Sequence, residues 1–123
     1  MLKSKIHRAT VTQADVNYQG SLTLDAQLLQ AADIIPYEEV HVWNVTRGTR
    51  FRTYAMLGEP GSGVVCANGA AALLVEPGDL IIIATFTMLE AAELAGFQPK
   101  LVFVDGRNQI TSVKAEEVAG PKI

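Results

Sequence analysis

Apolar and polar residues alternate with a period of two along much of the chain, as expected for half-buried β-strands. Residues 40–46 (VHVWNVT) show this pattern, and residues 50–56 (RFRTYAM) show it again after the turn signal Arg47-Gly48-Thr49. The two segments are therefore predicted to form a β-hairpin. In the second strand, one face is predicted to carry Arg50, Arg52 and Tyr54.

Further strands are predicted at residues 6–16, 63–67, 80–86 and 101–105, separated by turn signals at 68–69, 76–79 and 105–108. The strand at 80–86 is apolar on both faces, which favours a central position. Two short helices are predicted, one beginning after an Asp25 cap and reaching Ala32, the other running from Thr87 to near Gly96. Residues 114–123 are predicted to be a loose tail.

These elements predict a mainly β fold, because about seven short strands in 123 residues suit a small closed barrel without exposed sheet edges. The length and the balance of 49% hydrophobic to 19% charged residues indicate one globular domain, residues 1–123. Ten Lys and Arg against 13 Asp and Glu give a net charge of −3. With no basic block, neither nucleic acid nor an anionic membrane is an expected partner.

The termini and the cysteine content favour a cytoplasmic protein. Residues 1–8 contain three cationic residues but no apolar signal-peptide core, and the apolar run at 80–86 is too short to span a bilayer as a helix. Cys66 is the only cysteine, which excludes an intrachain disulfide and a multi-cysteine zinc site.

Conventional catalytic patterns do not identify an enzyme here. Cys66 lies in the apolar segment 63–67 and is interpreted as a buried, inert thiol instead of a nucleophile paired with His7 or His41. The two histidines have no zinc-ligand spacing. Gly61-Ser62-Gly63 lacks the lysine of a phosphate-binding loop and is interpreted as a turn.

A set of short motifs is more informative than any single residue. These motifs are residues 5–8 (KIHR), 14–15 (AD), 18–21 (YQGS), 43–46 (WNVT), Gly48 with 50–51 (RF), 53–55 (TYA), 68–72 (NGAAA), Val75, 78–79 (GD) and 81–84 (IIIA). In these motifs the chain resembles the pyruvoyl-dependent aspartate 1-decarboxylases, in family order and with similar spacing, over about residues 1–105. Asn17, Leu22 and the predicted helix at 87–98 lie outside the matching pieces.

The resemblance implies a six- to seven-stranded double-psi β-barrel, assembled as a homotetramer with sites between protomers. It also implies self-cleavage between Gly20 and Ser21, giving residues 1–20 and residues 21–123, with the possible help of a maturation protein. The Ser21 hydroxyl would attack the Gly20 carbonyl, helped by Thr53 and by the freedom of glycine to adopt strained backbone. Elimination from the resulting ester and hydrolysis of the dehydroalanine would leave a pyruvoyl group and ammonia.

The same resemblance assigns the chemistry of the site. The pyruvoyl ketone would form a Schiff base with L-aspartate and accept electrons as CO2 leaves, so neither a metal nor pyridoxal phosphate is expected. The product, β-alanine, would enter pantothenate and coenzyme A synthesis. Tyr54 is implied as the proton donor. Substrate contacts are implied for Lys5, Arg50, Thr53, Asn68, Gly69, Ala70 and Ala71, with His7 and Trp43 also lining the site.

Two other functions remain open at this stage. The chain could be a non-catalytic β-barrel binding or assembly module in which the Gly20–Ser21 bond stays intact. It could also be a pyruvoyl decarboxylase for another amino acid, in which case Lys5 and Arg50 would not select the short side chain of aspartate. Most isolated Gly-Ser pairs are plain turns, and the chain contains a second one at Gly61-Ser62.

Overall fold

β-Strands are the main regular elements of the computed structural model, which describes residues 1–118 and 120. Within those residues there are nine strands, one α-helix and two 3₁₀ helices, so the mainly β prediction is confirmed. The helices are α1 (Ala26–Ala32) and the 3₁₀ helices Gly69–Leu74 and Ala91–Gly96. The strands are β1 (Leu2–Thr10), β2 (Gln13–Asp15), β3 (Ser21–Asp25), β4 (Glu39–Asn44), β5 (Arg50–Gly58), β6 (Val65–Asn68), β7 (Leu80–Phe86), β8 (Lys100–Val104) and β9 (Ile110–Lys114).

Strand pairing gives the order β2-β6-β3-β5-β4-β7-β1-β8-β9. Neighbours are antiparallel, except that β1–β8, β2–β6 and β3–β5 are parallel. The order does not return to its first strand, so the predicted closure into a barrel is not confirmed by the pairing. The predicted six or seven strands are too few, because β2 was not separated from β1, and β3 and β9 were not predicted as strands. β3 is buried on both faces and β9 is mostly exposed, so neither shows a clear alternation.

The core includes alternate residues of β3, β4 and β7, as the alternation predicts, together with Leu28, Leu29 and Ala32 of α1. The strand predicted to be central is β7, which pairs with β4 on one side and β1 on the other. The fully buried strand residues of the core include Ile6, Leu22, Leu24, Val40, Val42, Ile81 and Ile83.

Helix α1 begins at the predicted cap. One carboxylate oxygen of Asp25 accepts hydrogen bonds from the backbone N–H groups of Gln27 at 2.8 Å and Gly61 at 3.0 Å, and the other accepts from Gly63 at 2.8 Å. The carboxylate therefore joins the start of the helix to the loop between β5 and β6.

The second helix was predicted too long. Only Ala91–Gly96 is helical, as a 3₁₀ helix whose residues are all solvent-exposed, so no apolar face packs it against the core. Of the predicted tail at 114–123, Lys114 belongs to β9, while residues 119 and 121–123 lie outside the described residues. No helix in the described part of the chain is long and apolar enough to cross a membrane.

Candidate active site

Ser21 opens β3 and lies between two strands that carry other predicted site residues. On β6 its register partner is Asn68. On β5, which runs parallel, Leu22 pairs with Ala55, so Tyr54 lies beside Ser21 one residue earlier on both strands. Leu22 points into the core, and alternation therefore directs the Ser21 side chain to the opposite face. Three predicted residues thus form a row across neighbouring strands, with Ser21 at its centre.

The backbone around the Gly20–Ser21 bond packs closely against the start of the first 3₁₀ helix. Gly69 has a φ of +67°, and a Cβ added there would lie 2.6 Å from the Gly20 Cα atom and 2.8 Å from the Gly20 nitrogen. Only glycine fits this contact without displacing the chain. Gly20 itself is not among the glycines with positive φ, so the strained backbone expected at Gly20 is not found; the left-handed conformation is at Gly69 instead.

A cavity of 230 Å³ brings together four predicted residues, Gly20, Thr53, Ala70 and Ala71. The first precedes Ser21, the second is on β5, and the two alanines belong to the 3₁₀ helix that follows Asn68. Three other residues complete the lining, Phe51, Arg52 and Leu74. These residues lie together next to the Gly20–Ser21 bond, in agreement with their assignment to one site.

Arg52 is a site-lining residue that was not a candidate in the sequence analysis. It is the only charged residue lining the cavity beside Gly20, and it also lines a second cavity of 320 Å³ with Arg50, Trp43 and His41. Its predicted position on the same strand face as Arg50 and Tyr54 was the one sequence signal that could have identified it as a site residue. The two cavities therefore adjoin at Arg52.

Arg50 and Trp43 lie on this outer face as a register pair between β5 and β4. Arg50 is exposed, so its guanidinium is accessible to an anion from outside the chain. Tyr54, also on the outer face, is 37% exposed and stacks against Tyr37 with ring centroids 6.0 Å apart. The predicted sharing of a face by Arg50, Arg52 and Tyr54 is consistent with the alternating burial of β5.

Asn68 is fixed by two side-chain hydrogen bonds. Its Nδ2 lies 3.1 Å from the Thr23 Oγ1, and its Oδ1 accepts from the Cys66 Sγ at 3.2 Å. Its backbone is extended, so Asn68 ends β6 and is not part of the tight two-residue turn that the Asn-Gly pair suggested.

Lys5 is not brought to this row within one chain. The register runs from Lys5 on β1 through Ala84 and His41 to Arg52 on β5. Three strand spacings, about 14 Å along the sheet, therefore separate Lys5 from the backbone of β5. The Lys5 Nζ instead binds the Oε2 of Glu117 at 2.9 Å.

His7 follows Lys5 on the same face of β1. Burial lowers the pKa of His7, and the nearby positive charges of Lys5 and Arg8 lower it further. The ring lies 5.5 Å from that of Phe103, and its buried Nδ1 has no hydrogen-bond partner among the described residues. His7 is therefore a neutral imidazole at neutral pH, suited to hydrogen bonding and not to holding a carboxylate by charge.

The described residues contain no group of three His, Cys, Asp or Glu side chains placed to hold a metal ion. The chemical groups that the row and its cavities do offer are a hydroxyl, a carboxamide, a phenol and guanidinium groups. Such groups can hold a carboxylate and donate hydrogen bonds to a developing negative charge.

Comparison with known proteins shows similarity along most of the chain. The family model described as "Aspartate decarboxylase" matches residues 1–111. A protein of Syntrophotalea carbinolica named aspartate 1-decarboxylase is 60% identical over 116 residues, which cover 94% of this chain and 88% of that protein. A protein of the same name from Myxococcus xanthus is 57% identical over 122 residues, covering 99% of this chain and 94% of the relative.

Proposed function

The chain belongs to the aspartate decarboxylase family, and from this membership we propose that it matures by self-cleavage and decarboxylates L-aspartate to β-alanine and CO2. β-Alanine is a precursor of pantothenate and coenzyme A. The close packing of Gly20 on Gly69, next to the register pair Ser21–Asn68, is the observation that supports the proposal most strongly. It supports the proposal because Gly20 precedes the bond proposed to be cut, and Gly69 and Asn68 are assigned to the same site.

In the proposed maturation, the Ser21 hydroxyl oxygen attacks the Gly20 carbonyl carbon and the amide is exchanged for an ester. Elimination releases the Gly20 carboxylate and leaves dehydroalanine at position 21, which water converts to a pyruvoyl group with loss of ammonia. Ser21 is only 6% exposed, so its hydroxyl lies in a mostly water-excluded position next to the Gly20 carbonyl. Thr53, lining the cavity beside Gly20, is assigned to donate to the carbonyl oxygen.

The surroundings of position 21 fit a pyruvoyl group, because Asn68 and Tyr54 flank it on neighbouring strands. When present, this group supplies the electron sink that decarboxylation needs. We assign Arg50 to bind a substrate carboxylate through its bidentate fork, with Lys5 holding the other. Tyr54 holds the proton that replaces CO2, and Asn68, Gly69, Ala70 and Ala71 orient the substrate.

We propose a homotetramer whose sites lie between protomers, because Lys5 and β5 are far apart within one chain. We also propose that the sheet closes into a double-psi barrel. Only Val11 and Thr12 connect β1 to β2, and their backbone amides donate to the carbonyl oxygens of Asp79 and Val65. β1 and β2 are far apart in the pairing order, but this short connection makes them neighbours in space. A cytoplasmic location and a maturation helper complete the proposal.

Cleavage and turnover can be tested together with the two Gly-Ser pairs of the chain. Wild-type protein should give fragments 1–20 and 21–123 by intact mass, and the larger should react with hydrazine through its ketone. Ser21→Ala should stay one 13.2 kDa chain and form no β-alanine. Ser62→Ala changes the serine of the other pair, which bonds only within its own loop, and should mature normally.

An uncut wild-type chain after prolonged incubation would contradict the proposal and favour a binding module. Substrate choice is tested separately with L-glutamate, whose side chain is one methylene longer. Turnover of glutamate as fast as aspartate would show that Lys5 and Arg50 do not gauge the length of the substrate.

A further inference from the structure

Four polar side chains lie together on one face of the β3–β6 pair. Ser21 pairs with Asn68, and Thr23 pairs with Cys66 one step along the same ladder. The Asn68 carboxamide contacts both members of the second pair, Thr23 at 3.1 Å and Cys66 at 3.2 Å. We propose that Thr23 and Cys66 are positioning residues, which fix the Asn68 carboxamide in one orientation toward Ser21 and thereby support both maturation and turnover.

The orientation follows from the donors available. A threonine hydroxyl can donate or accept, so Thr23 alone would tolerate either end of the amide. The Cys66 thiol is a weak donor and a weak acceptor, and here its S–H faces the amide oxygen and donates to it. Together they direct Oδ1 to Cys66 and Nδ2 to Thr23, leaving one N–H and one lone pair of the amide unused by them. Those remaining groups are what Asn68 can offer to position 21.

The thiol is in the protonated form that this arrangement needs. Burial raises the pKa of Cys66, and the charge of the nearby Asp15 carboxylate raises it further. A thiolate would have no proton to donate and would repel the amide oxygen.

Open space beside Asn68 makes the two hydrogen bonds necessary. Asn68, Thr23 and Cys66 line a cavity of 310 Å³ together with Tyr18 and Val64. Because this space is not filled by other side chains, packing alone would not stop the carboxamide from rotating about its last torsion angle.

The inference rests on the proposed function, and it is tested with two pairs of variants that remove or keep each hydrogen bond. Cys66→Ala and Thr23→Val remove a bond with little change in shape, whereas Cys66→Ser and Thr23→Ser retain a hydroxyl. Loss of one such bond should lower kcat and slow maturation by about 3- to 10-fold. KM for aspartate should change by less than about twofold, and the serine variants should stay within about twofold of wild type.

Val64→Ala is the matched control, because Val64 lines the same cavity without a side-chain bond to Asn68. It should leave kcat unchanged, and thermal unfolding of every variant separates lost stability from lost positioning. In an Asn68→Ala background, removal of either bond should cost less than a further twofold in maturation rate, since its effect acts through Asn68.

Normal kcat and maturation in Cys66→Ala and Thr23→Val would overturn the inference. So would losses that the serine variants do not recover, or losses that persist in full in the Asn68→Ala background. In each of these cases wild-type protein still cleaves and forms β-alanine, so the proposed function stands. A wild-type chain that forms neither ketone nor β-alanine would overturn the proposed function, and this inference with it.

Discussion

Asp79 shows how single residues hold the scaffold of the site. Its carboxylate is 3% exposed and accepts hydrogen bonds from the Asn44 Nδ2 at 2.9 Å, the Arg47 Nε at 2.7 Å and the Glu76 backbone N–H at 2.9 Å. Burial acts to raise the pKa of Asp79, but the bonds from Arg47, Asn44 and Glu76 outweigh it and leave the pKa below the usual 3.8. These bonds join the end of β4 to the turn before β7.

The lowered pKa predicts a loss of stability in acid. A carboxylate with a lower pKa in the folded state stabilises the fold fully above its unfolded pKa, and this contribution disappears as the pH falls through the folded value. Urea denaturation between pH 2 and 7 should therefore show that the free energy of unfolding falls less in acid for Asp79→Asn than for wild type. At pH 7 the variant should be less stable by about 1–3 kcal/mol, because its new amide opposes the donors of Asn44 and Arg47.

Glu76→Gln is the control for that experiment, since Glu76 bonds Arg47 from an exposed position. An exposed ion pair contributes about 0–1 kcal/mol, so this change should be much smaller. Equal acid profiles for wild type and Asp79→Asn would contradict the assignment of the acid loss to Asp79.

Gly69 is a second residue whose substitution should have a specific effect, because its backbone lies against Gly20. A methyl group there would overlap the backbone of Gly20, so Gly69→Ala should displace the bond that is proposed to be cut. We expect a maturation rate at least about tenfold slower, since misplacing reacting atoms by an ångström has effects of that order or larger. The rate is measured as the appearance of fragment 21–123 by intact mass.

Gly48→Ala is the matched control for Gly69→Ala. Gly48 also has a positive φ, +78°, but a Cβ there would meet nothing within 4 Å. Both alanine variants carry the backbone cost of about 1–2 kcal/mol, and Gly69→Ala adds the overlap with Gly20. Gly69→Ala should therefore lose more stability than Gly48→Ala, and only Gly69→Ala should mature slowly. Equal maturation rates would mean that the contact between Gly69 and Gly20 does not govern cleavage.

Among the strands and helices, the sequence predicts those whose structure is determined by their own residues. The β4–β5 hairpin, the central β7 and the capped helix α1 were identified because alternation, apolar content and Asp25 are local signals. β2 was not separated from β1, since its pairing with β6 depends on residues some 50 positions away. The contact of Gly20 with Gly69 is equally long-range, so spacing alone could not predict it, and the site residues came from resemblance.

The segment after β9 is predicted to affect substrate binding. Glu117 binds Lys5, which is proposed to hold a substrate carboxylate, so the segment competes with the substrate for the same cation. Glu117→Gln should lower KM for aspartate by about two- to fivefold, because a partly exposed ion pair contributes up to about 1 kcal/mol. Steady-state kinetics of the matured protein measure this, and kcat should stay the same.

Glu116→Gln is the neighbouring control, because it removes the same charge from a residue that has no ion pair with Lys5 in the structure. If both variants lower KM equally, the effect is due to net charge and not to release of Lys5.

The position of Lys5 in the molecule is hard to reconcile with a substrate site formed within one chain. Lys5 is on β1, three strands from β5 and four from β3, which carries Ser21. Arg50 faces outward and is exposed. Exposed aromatic side chains also occur on this outer side, including Tyr37, Tyr54 and Phe86. A site shared between protomers accounts for both the separation and the exposure.

Sharing of sites predicts complementation between two inactive variants. Ser21→Ala lacks the ketone but keeps Arg50, whereas Arg50→Ala keeps the ketone and lacks the carboxylate fork. If each site takes Ser21 from one protomer and Arg50 from its neighbour, mixed tetramers contain some sites in which both are intact. Co-expressed variants with different affinity tags, purified through both tags, should therefore form β-alanine faster than either variant alone.

A site formed within one chain gives the opposite result, because every chain in the mixture then carries one defect and no site is complete. The pair Ser21→Ala and Thr53→Ala serves as the internal comparison, since Thr53 lines the Gly20 cavity of its own chain. It should not complement, because Thr53 is proposed to assist the cleavage of its own chain at Ser21. Complementation by Arg50→Ala but not by Thr53→Ala would locate carboxylate binding across the interface and maturation within the protomer.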